Sequence, residues 1–335
     1  MYNYSVVIPH FNTPKLLQRL LNSIPDRDDL EIIVVDDNSN NVDFNDFPGI
    51  GKTNCKVIFD KKGGGGGYAR NIGLEEATGK WVLFADSDDF FNYCVNDILD
   101  EYVNDEADIV FFKANSMDSD DYSMSDRGND RLNYYIDCYD EDQLLYGNYL
   151  KYRCGEPWGK LIKKSVIDTN HINFEETIIH NDHRFSYVLG YYSKEIKVDR
   201  RALYCVTTRK GSTSKNVSDD AILTRIRVFG EADLFFRKHQ IPVEYMLDWH
   251  ISQLAQLYMN KQDGLFKKGC EILLSLGLDK DELNRSLYYS IQTQKYKSDN
   301  WMWRHSCIVR KVCRKLNKVI VFRVRDIFNS YPSYM

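Results

Sequence analysis

Apolar positions in the first third of the chain fall into short β-branched runs separated by helical stripes. Ser5 to Ile8, Glu31 to Val35, Cys55 to Phe59, Lys80 to Ala85 and Asp108 to Lys113 read as buried strands. After the first of them, Thr13-Pro14 gives an N-cap and a first-turn proline. Leu16, Leu17, Leu20, Leu21 and Ile24 follow at helical spacing, so that helix packs one stripe on the sheet. A second helix is predicted from about Tyr68 to Thr78, stopped by Gly79 as a C-terminal cap. Strands alternating with helices imply an α/β fold with a mostly parallel central sheet covered on both faces. Ligands of such sheets sit beyond the carboxyl ends of the strands. Farther on, Ser116 to Asp130 reads as a loop, Ile196 to Thr207 as strand, and the composition turns helical after about Asp219. The expected division is therefore residues 1–218 and a helical region, 219–335.

Strand ends carry the chemistry. Glu31-Ile32-Ile33-Val34-Val35 runs into Asp36-Asp37, and Trp81-Val82-Leu83-Phe84-Ala85 runs into Asp86-Ser87-Asp88-Asp89. Carboxylates crowded at the tip of a buried strand repel one another unless a cation lies among them. Hard oxygen ligands suit Mg²⁺ or Mn²⁺, metals that commonly bridge to phosphate oxygens. A site for a nucleotide diphosphate and its metal follows. Another acidic cluster, Asp118-Ser119-Asp120-Asp121, lies several residues past its predicted strand and reads as a solvated turn. The run Gly63 to Gly67 leads into the second helix, as a phosphate-facing loop or as a flexible loop tip. It is not a dinucleotide fingerprint, and Gly51-Lys52-Thr53 lacks the earlier glycine of a phosphate loop.

Composition narrows the setting. With 43% hydrophobic and 28% charged residues the chain is an ordinary folded protein, and a net charge of −5 argues against nucleic acid as a partner. Eight scattered cysteines without a Cys-x-x-Cys pair argue against a zinc site or disulfide framework and fit a reducing cytosol. The opening residues lack a signal peptide, and no apolar run reaches the ~18 residues of a spanning helix. A cytoplasmic protein is expected, with attachment at most to the inner membrane face. The tail supplies the reason for that addition. From Trp301 onward eight basic residues face a single acid, Asp326, and apolar residues recur at helical spacing over 301–330. That pattern reads either as a basic amphipathic helix on an anionic membrane surface or as a helix docked on the protein's own body.

The order Val7-Ile8-Pro9-His10-Phe11-Asn12, Val34 to Ser39, Ala69-Arg70-Asn71-Ile72-Gly73-Leu74 and Ala85 to Asp89 resembles the inverting family 2 glycosyltransferases. The likeness covers roughly the first 115 residues, a nucleotide-binding half, with 116–218 as the acceptor-side half. A fainter likeness continues through Glu156-Pro157-Trp158-Gly159-Lys160-Leu161, His180-Asn181-Asp182 and Arg209 to Ser214, as in bacterial enzymes that build capsule or O-antigen. The resemblance implies a GT-A fold, a nucleotide-diphospho-sugar donor (UDP-linked), Mn²⁺ or Mg²⁺, and a glycan or lipid-linked glycan acceptor. It implies donor contacts from Pro9, Phe11, Asp37, Asn71 and Asp86. Asp37 would accept the imide N–H of uracil, Asp86 would meet ribose or the metal's water shell, and Asp88 would ligate the metal. Family members commonly carry Glu-Asp where this chain has Asn181-Asp182, with the aspartate as base. Asp182 is therefore the expected general base, with His180 or His183 as alternatives, either as the base or as a contact to the metal. Trp158 reads as a sugar-stacking platform or a core residue, and Arg209-Lys210 as a diphosphate contact or a solvated basic turn. Rival readings are a nucleotidyltransferase, disfavoured because Pro9-His10-Phe11-Asn12 is no glycine-rich basic loop, and a non-catalytic glycan-binding scaffold.

Overall fold

The structure is a computed structural model that describes residues 2–299 except 41, 126, 128–129 and 210–217. Lys210 and the basic tail beyond Trp301 lie outside the described residues. The chain divides into two compact units, residues 1–216 and 217–335.

The first unit is built on one sheet of β1 (Tyr4–His10), β2 (Leu30–Asp37), β3 (Cys55–Asp60), β4 (Trp81–Phe84), β5 (Phe90–Phe91), β6 (Ile109–Asp118), β7 (Lys160–Lys163) and β8 (Ile196–Thr208). Their order across the sheet is β3-β2-β1-β4-β7-β6-β8-β5. Val6 to Ile8 and Ile32 to Val35 are covered on both faces, as an unbroken apolar run in a central parallel strand requires. β1, β2, β3 and β4 pair in parallel, and β6 pairs in parallel with β8. β7, however, runs antiparallel to both β4 and β6, and β5 antiparallel to β8. The sheet is mixed, where alternation alone predicts a mostly parallel one. β7 has only four residues, too few for periodicity to show, and nothing local in its sequence encodes direction. Its reversal matters for function. The carboxyl ends of β1, β2, β4, β6 and β8 meet at one edge, and the segment entering β7, Glu156 to Gly159, arrives there too.

The helices of this unit are α1 (Pro14–Ser23), α2 (Gly66–Glu76), α3 (Val95–Tyr102), α4 (Asp130–Asp137), α5 (Gln143–Arg153), α6 (Lys164–Thr169) and α7 (His183–Tyr192). α1 buries Leu17, Leu20 and Leu21, as its stripe predicts. Thr13 does not cap it with its side chain; the hydroxyl lies 3.2 Å from that of Ser87. α2 packs on β1 and β2 and ends earlier than predicted, at Glu76. Gly79 is not its cap. A Cβ there would stand 2.7 Å from the Tyr4 carbonyl carbon, so Gly79 is needed for close passage beside β1. β6 extends through Asp118, deeper into the predicted loop than expected, and the acidic cluster folds as a turn in which Asp118 accepts from the Asp120 N–H at 2.9 Å.

The second unit is helical: α8 (Asp219–Lys238), a short 3₁₀ turn at Val243–Tyr245, α9 (Trp249–Met259), α10 (Asp263–Leu276) and α11 (Lys280–Asp299). Ile226, Leu254, Leu273 and Leu287 are completely buried in its core. Ser218 caps α8 through the Ala221 N–H, acids occupy the first turn and basic residues the last, matching the helix dipole at both ends. Among the described residues no helix is long and apolar enough to cross a membrane, and the six described cysteines are unpaired.

Candidate active site

At the tip of β2 the two aspartates do different work. Asp36 is buried and saturated: its Oδ1 lies 2.7 Å from His10 Nδ1 and accepts from Ser39 Oγ at 2.6 Å, while Oδ2 accepts from the Ser39 N–H at 3.0 Å. The Thr13 N–H donates to His10 Nε2 at 3.1 Å, which leaves the imidazole proton on Nδ1 for Asp36. This lattice fixes the turn after β1, where Pro9 is partly covered and Phe11 is 54% exposed at the strand end. Asp37 is instead half-used. Its Oδ2 accepts from the Gly65 N–H at 2.8 Å, and its buried Oδ1 has no hydrogen-bond partner among the described residues. A buried carboxylate oxygen without a donor is costly, so this atom is suited to a ligand N–H.

Gly65 adopts φ 87° just before α2, a left-handed conformation that glycine takes without strain. At Gly67 the helix passes so close to the Glu175 carbonyl that a Cβ would stand 2.0 Å from its oxygen. The last two glycines of the run, Gly66 and Gly67, thus begin α2 beside the 174–182 loop. One turn on, Arg70 is buried to 7% exposure on the inward stripe with Gly67 and Leu74. Its Nη2 donates to Asp86 Oδ1 at 2.5 Å and its Nη1 to Asn181 Oδ1 at 2.9 Å. Asn71 turns to the same loop, and both ends of its amide are taken by the Phe174 backbone.

Beyond β4 the acids form a tight turn, with the Asp89 N–H donating to the Asp86 carbonyl at 3.0 Å. Asp86 is held at its backbone N–H by the Tyr204 hydroxyl (2.8 Å). Asp88 Oδ2 accepts from Arg209 Nε at 2.7 Å, and its carbonyl accepts from Arg19 and Thr207. Asp89 is buried, accepts from the Thr207 N–H at 2.7 Å, and is pushed well above the usual carboxylate range by burial and by Asp86 and Asp88. Asp89 therefore ties this turn to β8, while the Asp86 and Asp88 side chains stay partly exposed. No group of three or more metal-ligating side chains converges among the described residues.

Asp182 stands at the start of α7 without capping it. Burial lifts its carboxyl to about 6; Arg70 opposes that rise, and Glu156 and Asp86 add to it. His183, next along, is buried against Tyr187 and held down to about 3 by desolvation, so it stays neutral. Lys160 underlies the same corner, donating to the Cys154 and Glu156 carbonyls at 2.8 and 2.6 Å. Trp158 is 8% exposed and lies parallel to Tyr204, ring centres 5.6 Å apart, so one indole face supports Tyr204 and is closed to a sugar.

Asp37 and Asp86 thus bond to α2, at Gly65 and Arg70, and Asp182 feels the charges of Arg70 and Asp86; Asp88 is held instead by Arg209, and the Asn71 side chain is engaged by Phe174. Arg70, Tyr204, Thr207 and Arg19 have no role in the sequence reading. For Arg70 a signal was present: a basic residue on the apolar stripe of a helix needs a buried acid.

An α/β sheet with acid-tipped strands and a glycine-led helix start is the architecture of the GT-A fold. Residues 5–161 match the family described as Glycosyl transferase family 2. Over 98 residues it is 38% identical to poly(ribitol-phosphate) beta-N-acetylglucosaminyltransferase TarS of Staphylococcus aureus, covering 28% of this chain but 17% of that protein. Against glycosyltransferase GlyG of Streptococcus pneumoniae the identity is 27% over 236 residues, 64% of this chain and 74% of the relative. The structure of S. aureus TarS 1-349 in complex with UDP-GlcNAc superposes with a TM-score of 0.56 at 20% identity, over 89% of this chain and 92% of that one. That likeness establishes the fold.

Proposed function

We propose that the protein is an inverting glycosyltransferase that moves a sugar from a UDP-sugar to a hydroxyl of a glycan or lipid-linked glycan during surface polysaccharide synthesis. The observation that carries this reading is the Arg70 bridge, which joins a donor-side acid, Asp86, to the loop bearing the candidate base, Asp182. The TarS relative with bound UDP-GlcNAc supports a UDP-linked donor.

Asp37 Oδ1 would accept the uracil imide N–H, and Asp86 would meet the ribose side. With Asp182 ionised, its carboxylate takes the proton of the acceptor hydroxyl as that oxygen attacks the anomeric carbon. The bond from the anomeric carbon to the phosphate oxygen breaks, and its electron pair leaves with UDP. No covalent enzyme intermediate forms, so configuration inverts. Arg70 and Arg209 carry positive charge toward the diphosphate side.

The donor set fits a hard divalent cation of the Mg²⁺ type, which is commonly held by one or two carboxylates with substrate phosphates and water completing the shell. Asp88 would hold it. Bound there, such a metal would offset the charge that develops on the leaving diphosphate. Attachment of the 301–335 tail to an anionic inner leaflet belongs to the same reading and is tested by sedimentation with anionic vesicles.

The direct test is release of UDP from a panel of UDP-sugars with Mn²⁺ or Mg²⁺, alongside thermal stabilisation by each donor, repeated with Asp88→Ala. Metal-dependent release from one donor, abolished in the variant, supports the reading. Equal stabilisation by all nucleotides, or an unchanged variant, removes it.

A further inference from the structure

The resemblance leads one to expect a glutamate at position 181, and this chain has asparagine there. The structure shows what that exchange touches. Asn181 Oδ1 is the second partner of Arg70 Nη1, at 2.9 Å, while Nη2 of the same guanidinium holds Asp86 at 2.5 Å. The side chain has little choice of direction. A Cβ at Gly67 would come 2.9 Å from that of Asn181, and the Asn181 carbonyl is fixed by the Glu175 N–H at 3.0 Å. The backbone at 181 thus starts its side chain beside α2, within reach of Arg70.

Asp182 is the next residue, and charged groups face it from several elements: Arg70 on α2, Asp86 after β4, and Glu156 and Lys160 at the entry to β7. Arg131 of α4 reaches the corner through Glu156, at 3.2 Å. His180 and His183 flank the carboxylate, the second of them neutral. Arg70 is the chief positive influence on Asp182 in this set, and a second carboxylate on Arg70 would cancel much of it.

We propose that Asn181 is a positioning residue for the base: a neutral amide at this place orients Arg70 without consuming its charge. The Arg70 charge then serves Asp86 on one side and Asp182 on the other, which keeps Asp182 ionised to lower pH than a Glu-Asp pair would allow. This rests on the transferase reading and adds to it how the base is tuned.

The test is the pH profile of kcat/KM for UDP-sugar turnover in wild type, Asn181→Glu, Asn181→Asp and Asn181→Gln, with UDP binding measured on each. The two acidic variants are expected to move the acidic limb upward by about one pH unit. Asn181→Gln, which keeps a neutral amide, is expected to leave the limb in place. If Asn181→Glu does not fold, Asn181→Asp decides by the same shift. Limbs that coincide in active acidic variants overturn this inference and leave the transferase reading intact. If no UDP-sugar is turned over, or Asp182→Asn turns over like wild type, the reading itself fails and this inference with it.

Discussion

Asn71 and Phe174 grip each other in both directions: the Asn71 Nδ2 donates to the Phe174 carbonyl at 3.0 Å, and its Oδ1 accepts from the Phe174 N–H at 2.8 Å. The side-chain amide thus stands in for a neighbouring strand. Phe174 is further clamped by Phe185, stacked with ring centres 4.0 Å apart, and lies under the Arg70 guanidinium at 5.4 Å. The loop from Phe174 to Asp182 begins on α2 and ends at the head of α7.

Replacing Asn71 with alanine should therefore act on the base through its loop. Both Phe174 backbone groups lose their partner, at a cost of about 1–3 kcal/mol each if they stay buried. Denaturant unfolding should show the loss, and kcat should fall while the Kd for UDP changes little. A large rise in that Kd with kcat intact would instead assign Asn71 to the donor.

On the transferase reading Asp182→Asn removes the base, and kcat is expected to drop by about 10²–10⁴ with UDP binding retained. In wild type, activity should fall below about pH 6, where the carboxylate takes up its proton. Stability should show the opposite face of the same shift. The carboxyl ionises near 3.8 when unfolded and near 6 when folded, so the native state binds the extra proton between those values. Wild-type stability from this group falls as pH rises through that window. Asp182→Asn is thus expected to be more stable than wild type at pH 7 to 8, the gap closing by about pH 4. Thermal melts across that range check it.

How much of this was legible beforehand depends on how local the signal is. The acid tips of β2 and β4 and the leucine stripe of α1 are local patterns, and the structure has them where the periodicity predicts. β7 is not local: its direction depends on where the preceding α4–α5 excursion brings the chain back. Side-chain commitments are equally non-local. Nothing in Asp86-Ser87-Asp88-Asp89 tells which carboxylate Thr207 will bury, nor does Trp158 announce that Tyr204 lies flat against it.

Asp37→Ala should weaken UDP binding by about 10- to 100-fold, the worth of a hydrogen bond to a charged group. It should also release the Gly65 N–H at the head of α2. Calorimetry with UDP, CDP and GDP checks the first point; a variant that loses affinity for all three alike would place Asp37 outside base recognition.

Arg209 occupies the Asp88 carboxylate at 2.7 Å. Arg209→Gln frees that oxygen, so Mn²⁺ binding without nucleotide should tighten several-fold, while UDP binding in the presence of metal should weaken. Titration of Mn²⁺ by electron paramagnetic resonance separates the two effects. Weaker metal binding in the variant would contradict the placement of the cation at Asp88.

Three jobs hang on α2: its head meets Asp37 through Gly65, its middle meets Asp86 through Arg70, and Asn71 holds the loop of the base. It is one stiff rod, so these jobs share a single mechanical degree of freedom. On the transferase reading, a substitution that tilts it is expected to disturb donor recognition and proton abstraction together. On that reading, new donor preference on this scaffold is expected to arise at side chains off α2, where a change leaves the rod's other two contacts in place.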